Sequence, residues 1–382
     1  MNFKTRFLKW LDGFLGPLAV WALLRLVKAP GTSYIVSEVA LSPKILVIRP
    51  GGIGDAALLL PTLRALKDQF PESEIDVLAE KRNAGVFQEC EFTSSVFLYD
   101  DFTNLGLLKV LKNSYDIVLD TEQWHRFSAC VAYLTKAQVR IGFATNSRKN
   151  LFSHPVAYGH DKYEAQSFLD LLSPLGERAI EFKEETAFIE PLTPAPEDFV
   201  VFRKKMSCQD SVTKSRGIIG IFAGATIRER KWGVDNFASL CRSLLENGGA
   251  VVILGGTGDA GEAEEILRAI DSDKILNLTG RTTLAETSAV LKEIDLLVTT
   301  DSGIMHMAYG IGTPTVSLFG AGIEEKWAPL GPSHIAINHR LFCSPCTKFG
   351  YTPECPYDVR CLKEIGVDEV IEAVDSLLKS PS

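Results

Sequence analysis

A strand, a glycine-rich turn and a helix follow one another between Lys44 and Pro71, and this order restricts the chain to few folds. The apolar run Ile45–Ile48 predicts a buried strand. The turn after it contains Gly51, Gly52 and Gly54, and apolar residues then recur at helical spacing. In α/β folds such a turn opens a ligand site, because glycine lets the backbone approach a ligand.

Asp55 places a carboxylate at the start of the predicted helix. The glycines do not follow the dinucleotide pattern GxGxxG, and an acid here would repel a phosphate. The pattern therefore favours a chemical role for Asp55 over a place in a cofactor cradle. The alternative is a helix N-cap, for which Asp is a preferred residue. This segment alone leaves both interpretations open.

Length and charge restrict the classes of function. A chain of 382 residues is long enough for two domains with a core in each. Its formal net charge of -8 argues against nucleic acid as a partner, because binding a polyanion requires a basic surface. An anionic small ligand would instead need a local cluster of cations.

Strands and helices alternate in two successive halves, which predicts two doubly wound α/β domains with a site in the cleft between them. The alternation stops near Glu190, where EPLTPAPEDF contains three prolines. We therefore predict an N-terminal helix and joint at 1–43, a first domain at 44–190, a linker at 191–215 and a second domain at 216–382. The last helix, Val367–Leu378, could pack back across the cleft.

The first candidate site of the second half is the turn FAGATIRERKW. It gathers one hydroxyl and three cations directly after a strand, where an open α/β sheet binds its ligand. These groups could neutralise a diphosphate and stabilise its departure. The alternative is a solvated basic turn. The residues are Thr226, Arg228, Arg230 and Lys231.

Two further turns follow strands in the same half. In GGTGDAGE, Asp259 or Glu262 could accept hydrogen bonds from a ribose, or either could simply complement a helix dipole. In TTDSGIMHMA, a helix start offers backbone N–H groups to an anion. The candidate donor-binding residues of this turn are Asp301, Ser302, Gly303 and His306.

Four cysteines lie close together near the C-terminus, and their C-x-x-C start is a spacing used by zinc sites. The later spacings fit no standard zinc module, so reduced thiols or disulfides are equally open. The four are Cys343, Cys346, Cys355 and Cys361. The other cysteines are scattered, which indicates a reducing compartment.

The N-terminus combines basic residues with an apolar run at Gly13–Leu24. The run is shorter than the roughly 20 residues that cross a bilayer. We expect a helix lying in a membrane interface, anchored by Trp10 and Trp21, followed by a polar joint at Ser33–Pro43. A cleaved signal peptide and an amphipathic helix packed on its own domain are the alternatives.

From about Lys44 to the C-terminus the sequence resembles glycosyltransferase family 9, the ADP-heptose:lipopolysaccharide heptosyltransferases. The resemblance lies in RPGGIGDAALLLPTLRAL, RIGF, FAGATIRERKW and TTDSGIMHMAYGIGTPTVSLFG. It implies a GT-B fold and an inverting, metal-independent transfer of heptose from ADP-heptose to a lipopolysaccharide core, with no cofactor. An N-terminal helix would then bring the enzyme to its glycolipid acceptor at the cytoplasmic face of the inner membrane.

The resemblance also assigns roles to individual residues. Asp55 matches the family's general base, and Thr226 and Lys231 match its contacts to the donor phosphates. The segment from Asp301 to His306 matches the donor-binding loop. Arg230 departs from the expected pattern by adding a cation. The alternatives are a same-fold transferase using another nucleotide sugar and a non-catalytic binding protein.

Overall fold

The computed structural model describes residues 3–27, 42–101, 103, 105–176, 180–184, 187–209, 216–348 and 350–379, with the backbone alone for 3–11 and 209. The chain divides into two compact units, Met1–Lys183 and Glu184–Ser382. The division falls shortly before residue 190, where the sequence suggests the first domain ends. Nearly all of the predicted joint at Ser33–Pro43 and the side chain of Trp10 lie outside the described residues.

The first unit is built on a six-stranded parallel sheet with the order β3-β2-β1-β4-β5-β6. Its strands are apolar runs because both faces of a parallel sheet are covered. The order reverses between β1 and β4, and such a switch point is where doubly wound sheets bind ligands. The strands are β1 Lys44–Arg49, β2 Glu74–Ala79, β3 Ser95–Leu98, β4 Ile117–Asp120, β5 Val139–Phe143 and β6 His154–Val156.

Six helices accompany this sheet within the described residues. The second begins directly after the glycine turn and packs against the sixth. Its buried leucines, Leu58, Leu59 and Leu60, explain the apolar spacing in the sequence. The helices are α1 Phe3–Leu26, α2 Ile53–Gln69, α3 Ala84–Gln88, α4 Gly106–Lys112, α5 Arg126–Leu134 and α6 Glu164–Asp170.

The second unit repeats the topology with a parallel sheet in the order β12-β11-β10-β7-β8-β9. Its switch point lies between β7 and β10. The strands are β7 Ile218–Phe222, β8 Ala250–Leu254, β9 Ile275–Asn277, β10 Leu296–Thr300, β11 Thr315–Leu318 and β12 His334–Ile337. The helices are α7 Glu197–Gln209, α8 Val234–Glu246, α9 Ala260–Arg268, α10 Leu284–Glu293, α11 Gly303–Ile311, α12 Glu324–Trp327, α13 Arg360–Lys363 and α14 Val367–Lys379.

The C-terminal helix α14 packs on its own unit, against α8 and the strands β10 to β12. Val370 and Val374 point into the core that these elements share. Helix α14 is therefore part of the core of the second unit, and its return across a cleft stays a prediction.

One side of the N-terminal helix α1 packs against the first unit. Val20 belongs to the hydrophobic core cluster that includes residues of β1, β4 and α5. Gly16 lies so close to the side chain of Arg126 that an added Cβ would be 2.9 Å from Arg126 Cδ. The buried carboxylate of Asp12 accepts hydrogen bonds from the backbone N–H groups of Arg126 and Phe127, each at 2.8 Å. Asp12 thus caps the start of α5.

The opposite side of α1 exposes the apolar side chains Phe14, Leu18 and Trp21. One side of α1 is therefore packed on its own domain, as in the alternative given above, and a place in a membrane interface stays a prediction. No described helix is both long enough and apolar enough to pass through a bilayer.

Replacing the buried cap should weaken the first unit. We expect Asp12→Ala to lower the free energy of unfolding by about 1–2 kcal/mol, because two N–H groups at the start of α5 lose their acceptor. Chemical denaturation measures this change. The control is Asp68→Ala, which removes an exposed carboxylate from α2 and should change stability by less than about 0.5 kcal/mol. Equal stability of the two variants would contradict the capping role.

Candidate active site

Asp55 is the third residue of α2, which begins beyond the carboxyl end of the inner strand β1. The N-cap of this helix is Gly52, and no side chain caps it, so the capping interpretation of Asp55 is wrong. The carboxylate folds back over the glycine turn. A Cβ on Gly52 would lie 3.0 Å from Asp55 Oδ2, so glycine at this position leaves room for the acid. The third glycine, Gly54, is buried in the first turn of α2.

A buried arginine connects this turn to the loop that follows β4. Arg49, the last residue of β1, donates from Nη1 to the carbonyl of Thr121 at 2.9 Å and from Nη2 to Glu122 Oε2 at 3.3 Å. A second buried pair joins Arg148 Nη2 to Asp120 Oδ2 at 2.6 Å. The buried contacts of Arg49 therefore hold the loop after β1 and the loop after β4 together at the switch point.

The electrostatics of this cluster keep Glu122 charged. Burial alone would raise its pKa, but the charges of Arg49, His125 and Arg148 lower it to about 2. The pKa of Arg49 is raised despite burial, because carboxylates surround its guanidinium. The lowered pKa of Glu122 and the raised pKa of Arg49 both show that each of these two groups stabilises the charge of the other.

Gln123 connects Asp55 to the first residue of α6. Its Nε2 lies 3.4 Å from Asp55 Oδ1 and 2.6 Å from Oε1 of the fully buried Glu164, the first residue of α6. Tyr158 donates to the other oxygen of Glu164 at 2.9 Å. Sequence reasoning missed these residues and Arg49. A usable signal exists for Gln123, since TEQ directly follows a strand at the ligand-binding edge.

In the second unit, the cations after β7 are paired with acids. Lys231 contacts Glu262 at the start of α9, and this contact lowers the pKa of Glu262. Arg228 contacts Asp358, and both side chains are well exposed. Thr226 is exposed in the same turn. The turn is anchored by Trp232, which is fully buried and donates to the carbonyl of Ile365 at 2.9 Å.

Arg230 spans the switch point of the second sheet. Its Nη1 lies 3.2 Å from Oδ2 of Asp301, the residue that follows β10. Asp301 is nearly fully buried, and a Cβ on Gly322 would lie only 2.1 Å from its Oδ2, so a glycine is needed beside it. Ser302 then caps α11, accepting from the N–H of Met305 at 3.4 Å. Gly303 is the first helical residue. Arg230, the cation that departs from the expected family pattern, is thus the one that contacts Asp301.

The remaining candidates have different surroundings. Asp259 accepts from the N–H of Gly256 at 2.8 Å and packs against Gly224, where a Cβ would lie 2.3 Å from its carboxylate. It therefore shapes its own turn, and Glu262 is the acid next to a cation. His306 is buried in α11, with its ring edge-to-face with Trp327.

All eight cysteines are free thiols. Within the part of the chain that the structure describes, which includes the four C-terminal cysteines, no group of three or more His, Cys, Asp or Glu side chains is arranged to hold a metal ion. The zinc and disulfide interpretations of Cys343, Cys346, Cys355 and Cys361 stay open alternatives from the sequence. Cys361 is buried against Gly320.

Known proteins are similar to this chain in sequence and in fold. Residues 105–355 match the model of glycosyltransferase family 9 (heptosyltransferase). Lipooligosaccharide heptosyltransferase 2 of Haemophilus influenzae is 27% identical over 304 residues, which are 75% of this chain and 86% of the relative. Lipopolysaccharide heptosyltransferase 3 of Escherichia coli K12 is 25% identical over 343 residues, 85% and 95% of the two chains.

A solved structure is similar to this chain in fold. The E. coli ADP-heptose lps heptosyltransferase II superimposes with a TM-score of 0.67 at 22% identity, covering 88% of this chain and 98% of the other. The family model spans well over half of the chain. The chain therefore belongs to glycosyltransferase family 9 and is a glycosyltransferase.

Proposed function

We propose that this enzyme transfers heptose from ADP-heptose to the core of a lipopolysaccharide or lipooligosaccharide, with inversion at the anomeric carbon and without a metal ion. The names of its relatives support the sugar and the acceptor class. The single observation that carries the chemistry is the division of charges. A half-exposed carboxylate, Asp55, lies at the switch point of the first sheet, and cations lie at the switch point of the second.

In the proposed reaction the first unit acts on the acceptor. Asp55 removes the proton from the acceptor hydroxyl as that oxygen forms a bond to the anomeric carbon. The bond between the anomeric carbon and the diphosphate oxygen breaks, and its electron pair leaves with ADP. Attack from the face opposite the leaving group inverts the configuration.

The second unit would hold the donor and stabilise the leaving group. Arg230, Lys231 and the N-terminus of α11 supply positive charge for a diphosphate that gains negative charge in the transition state. In the structure acids neutralise both side chains, Asp301 beside Arg230 and Glu262 beside Lys231. Asp259 and Glu262 both stay candidates for the ribose, because one oxygen of each is already engaged, by the N–H of Gly256 and by Lys231 respectively.

The base assignment makes a direct prediction. We expect Asp55→Asn to reduce kcat at least about 1000-fold while ADP-heptose still binds, because the amide keeps the shape but cannot accept the proton. ADP release measures turnover, and calorimetry measures donor binding. Asp68→Asn, on the exposed surface of the same helix, is the matched control. Turnover in Asp55→Asn close to that of the control would refute the assignment.

The cation assignment predicts a different kinetic pattern. We expect Arg230→Ala and Lys231→Ala each to lower kcat/KM for the donor by about 10–100-fold, because each removes a cation that stabilises the anionic leaving group. Arg268→Ala, which removes an exposed cation of α9, should leave this value unchanged. If Arg230→Ala behaves like the control, its contact with Asp301 is structural only.

We further propose that α1 docks this enzyme on the cytoplasmic face of the inner membrane, where a lipid-linked acceptor would be found. Its exposed apolar side, with Phe14, Leu18 and Trp21, is suited to the boundary between headgroups and acyl chains. Arg25 lies over the ring of Trp21, 4.7 Å from its centroid, and offers a cation to anionic headgroups.

Surface substitutions test this docking better than deletion, since removing α1 would also remove Val20 from the core. We expect Leu18→Glu combined with Trp21→Glu to reduce co-sedimentation with anionic phospholipid vesicles at least about tenfold, because two charges enter an apolar face. Leu192→Glu, an equally exposed leucine of the second unit, is the control. Unchanged sedimentation of the double variant would rule out docking through this face.

A further inference from the structure

We propose that Gln123 is a positioning residue that holds the carboxylate of Asp55 in its reactive orientation, and that Glu164 anchors Gln123 for this purpose. The inference rests on the proposed role of Asp55 as the base. Neither the family resemblance nor the glycine turn points to these two residues. They are joined to Asp55 only by the fold, since Gln123 follows β4 and Glu164 begins α6.

The amide of Gln123 is oriented by two acids. Its Nε2 carries two hydrogens, and these can serve Glu164 Oε1 at 2.6 Å and Asp55 Oδ1 at 3.4 Å at the same time. The carbonyl end of the amide would be repelled by both carboxylates. The NH₂ end must therefore face them, so Gln123 is the donor in both hydrogen bonds.

Glu164 is suited to be an anchor because it is fully buried and held from a second side. The hydroxyl of Tyr158 donates to its Oε2 at 2.9 Å. Burial and the charges of Glu164 and Asp55 raise the pKa of this tyrosine, so its hydroxyl keeps its proton. Hydrogen bonds thus connect Tyr158, Glu164, Gln123 and Asp55 in one series.

The loop that carries Gln123 is rigidly held. Four successive carbonyls, from residue 121 to residue 124, each accept a hydrogen bond from a side chain of another segment. Such a loop fixes its own side chains with little further loss of entropy. The donors are Arg49 to Thr121, Arg148 to Glu122, Thr145 to Gln123 and Asn146 to Trp124.

The arrangement assigns different tasks to the two oxygens of Asp55. Oδ1 accepts from Gln123, whereas Oδ2 lies over Gly52 in the glycine turn. A hydrogen bond donated to one oxygen favours the charged form, which a base requires. The ionisable groups around Asp55 are Arg49 from β1, Tyr158 from the segment after β6 and Glu164 from α6. Glu122 is paired with Arg49 instead.

The test replaces the amide by an apolar group of similar shape. We expect Gln123→Met to lower kcat about tenfold and to leave the KM for ADP-heptose unchanged, because a misplaced carboxylate impairs proton transfer and not donor binding. Gln166→Met is the matched control. Gln166 stands two residues after Glu164 in α6, but its hydrogen bonds go to Asp170 and to the backbone of residues 180 and 182. Its loss should reduce stability and leave kcat unchanged.

A substrate-free measurement separates this inference from the proposed function. With ¹³C-labelled aspartate, the Asp55 carboxylate signal, assigned by its absence in Asp55→Asn, should change its chemical shift in Gln123→Met and keep it in Gln166→Met. An unchanged Asp55 signal together with a wild-type kcat in Gln123→Met would overturn the positioning role. Turnover by Asp55→Asn would instead overturn the proposed function. If Gln123→Met does not fold, Gln123→Asn, one methylene too short to reach both acids, should show the same changes.

Discussion

The arrangement of the first unit depends on one buried arginine. Arg49 ends β1, and its guanidinium holds the loop after β4 through Thr121 and Glu122. Removing one partner of a buried ion pair usually costs about 3–5 kcal/mol, because the other charge is left without compensation. This pair therefore fixes the distance between the two loops of the switch point. Asp55 follows one loop, and Gln123 belongs to the other.

The two units use the same topology for opposite electrostatic purposes. In the first, the cations Arg49 and Arg148 are buried and each is paired with an acid, so the half-exposed group is the carboxylate Asp55. In the second, Arg230 and Lys231 keep 27% and 39% of their side chains exposed, and their partners are acids that a diphosphate could replace. The proposed base chemistry in one unit and the proposed leaving-group stabilisation in the other are both based on this difference in burial.

Local patterns in the sequence predict the central strands, the glycine turn and Asp55, because each depends on neighbouring residues. The strands β6, β9 and β12 escape prediction. They are three or four residues long and lie at sheet edges, where one neighbour and partial burial leave a weak apolar pattern. The contact of Gln123 with Glu164 joins residues 41 positions apart, and no local pattern encodes it. Arg230 and Lys231 are adjacent in sequence, yet only the fold shows that they reach different acids.

The proposed enzyme transfers heptose with inversion, using a carboxylate base in one unit and cations in the other. The most direct test is NMR analysis of the product formed from ADP-heptose and lipopolysaccharide core acceptors, with EDTA present. We expect a new heptosyl linkage whose anomeric configuration is opposite to that of the donor. A retained configuration, a strict requirement for a divalent metal ion, or transfer only from UDP- or GDP-sugars would contradict it.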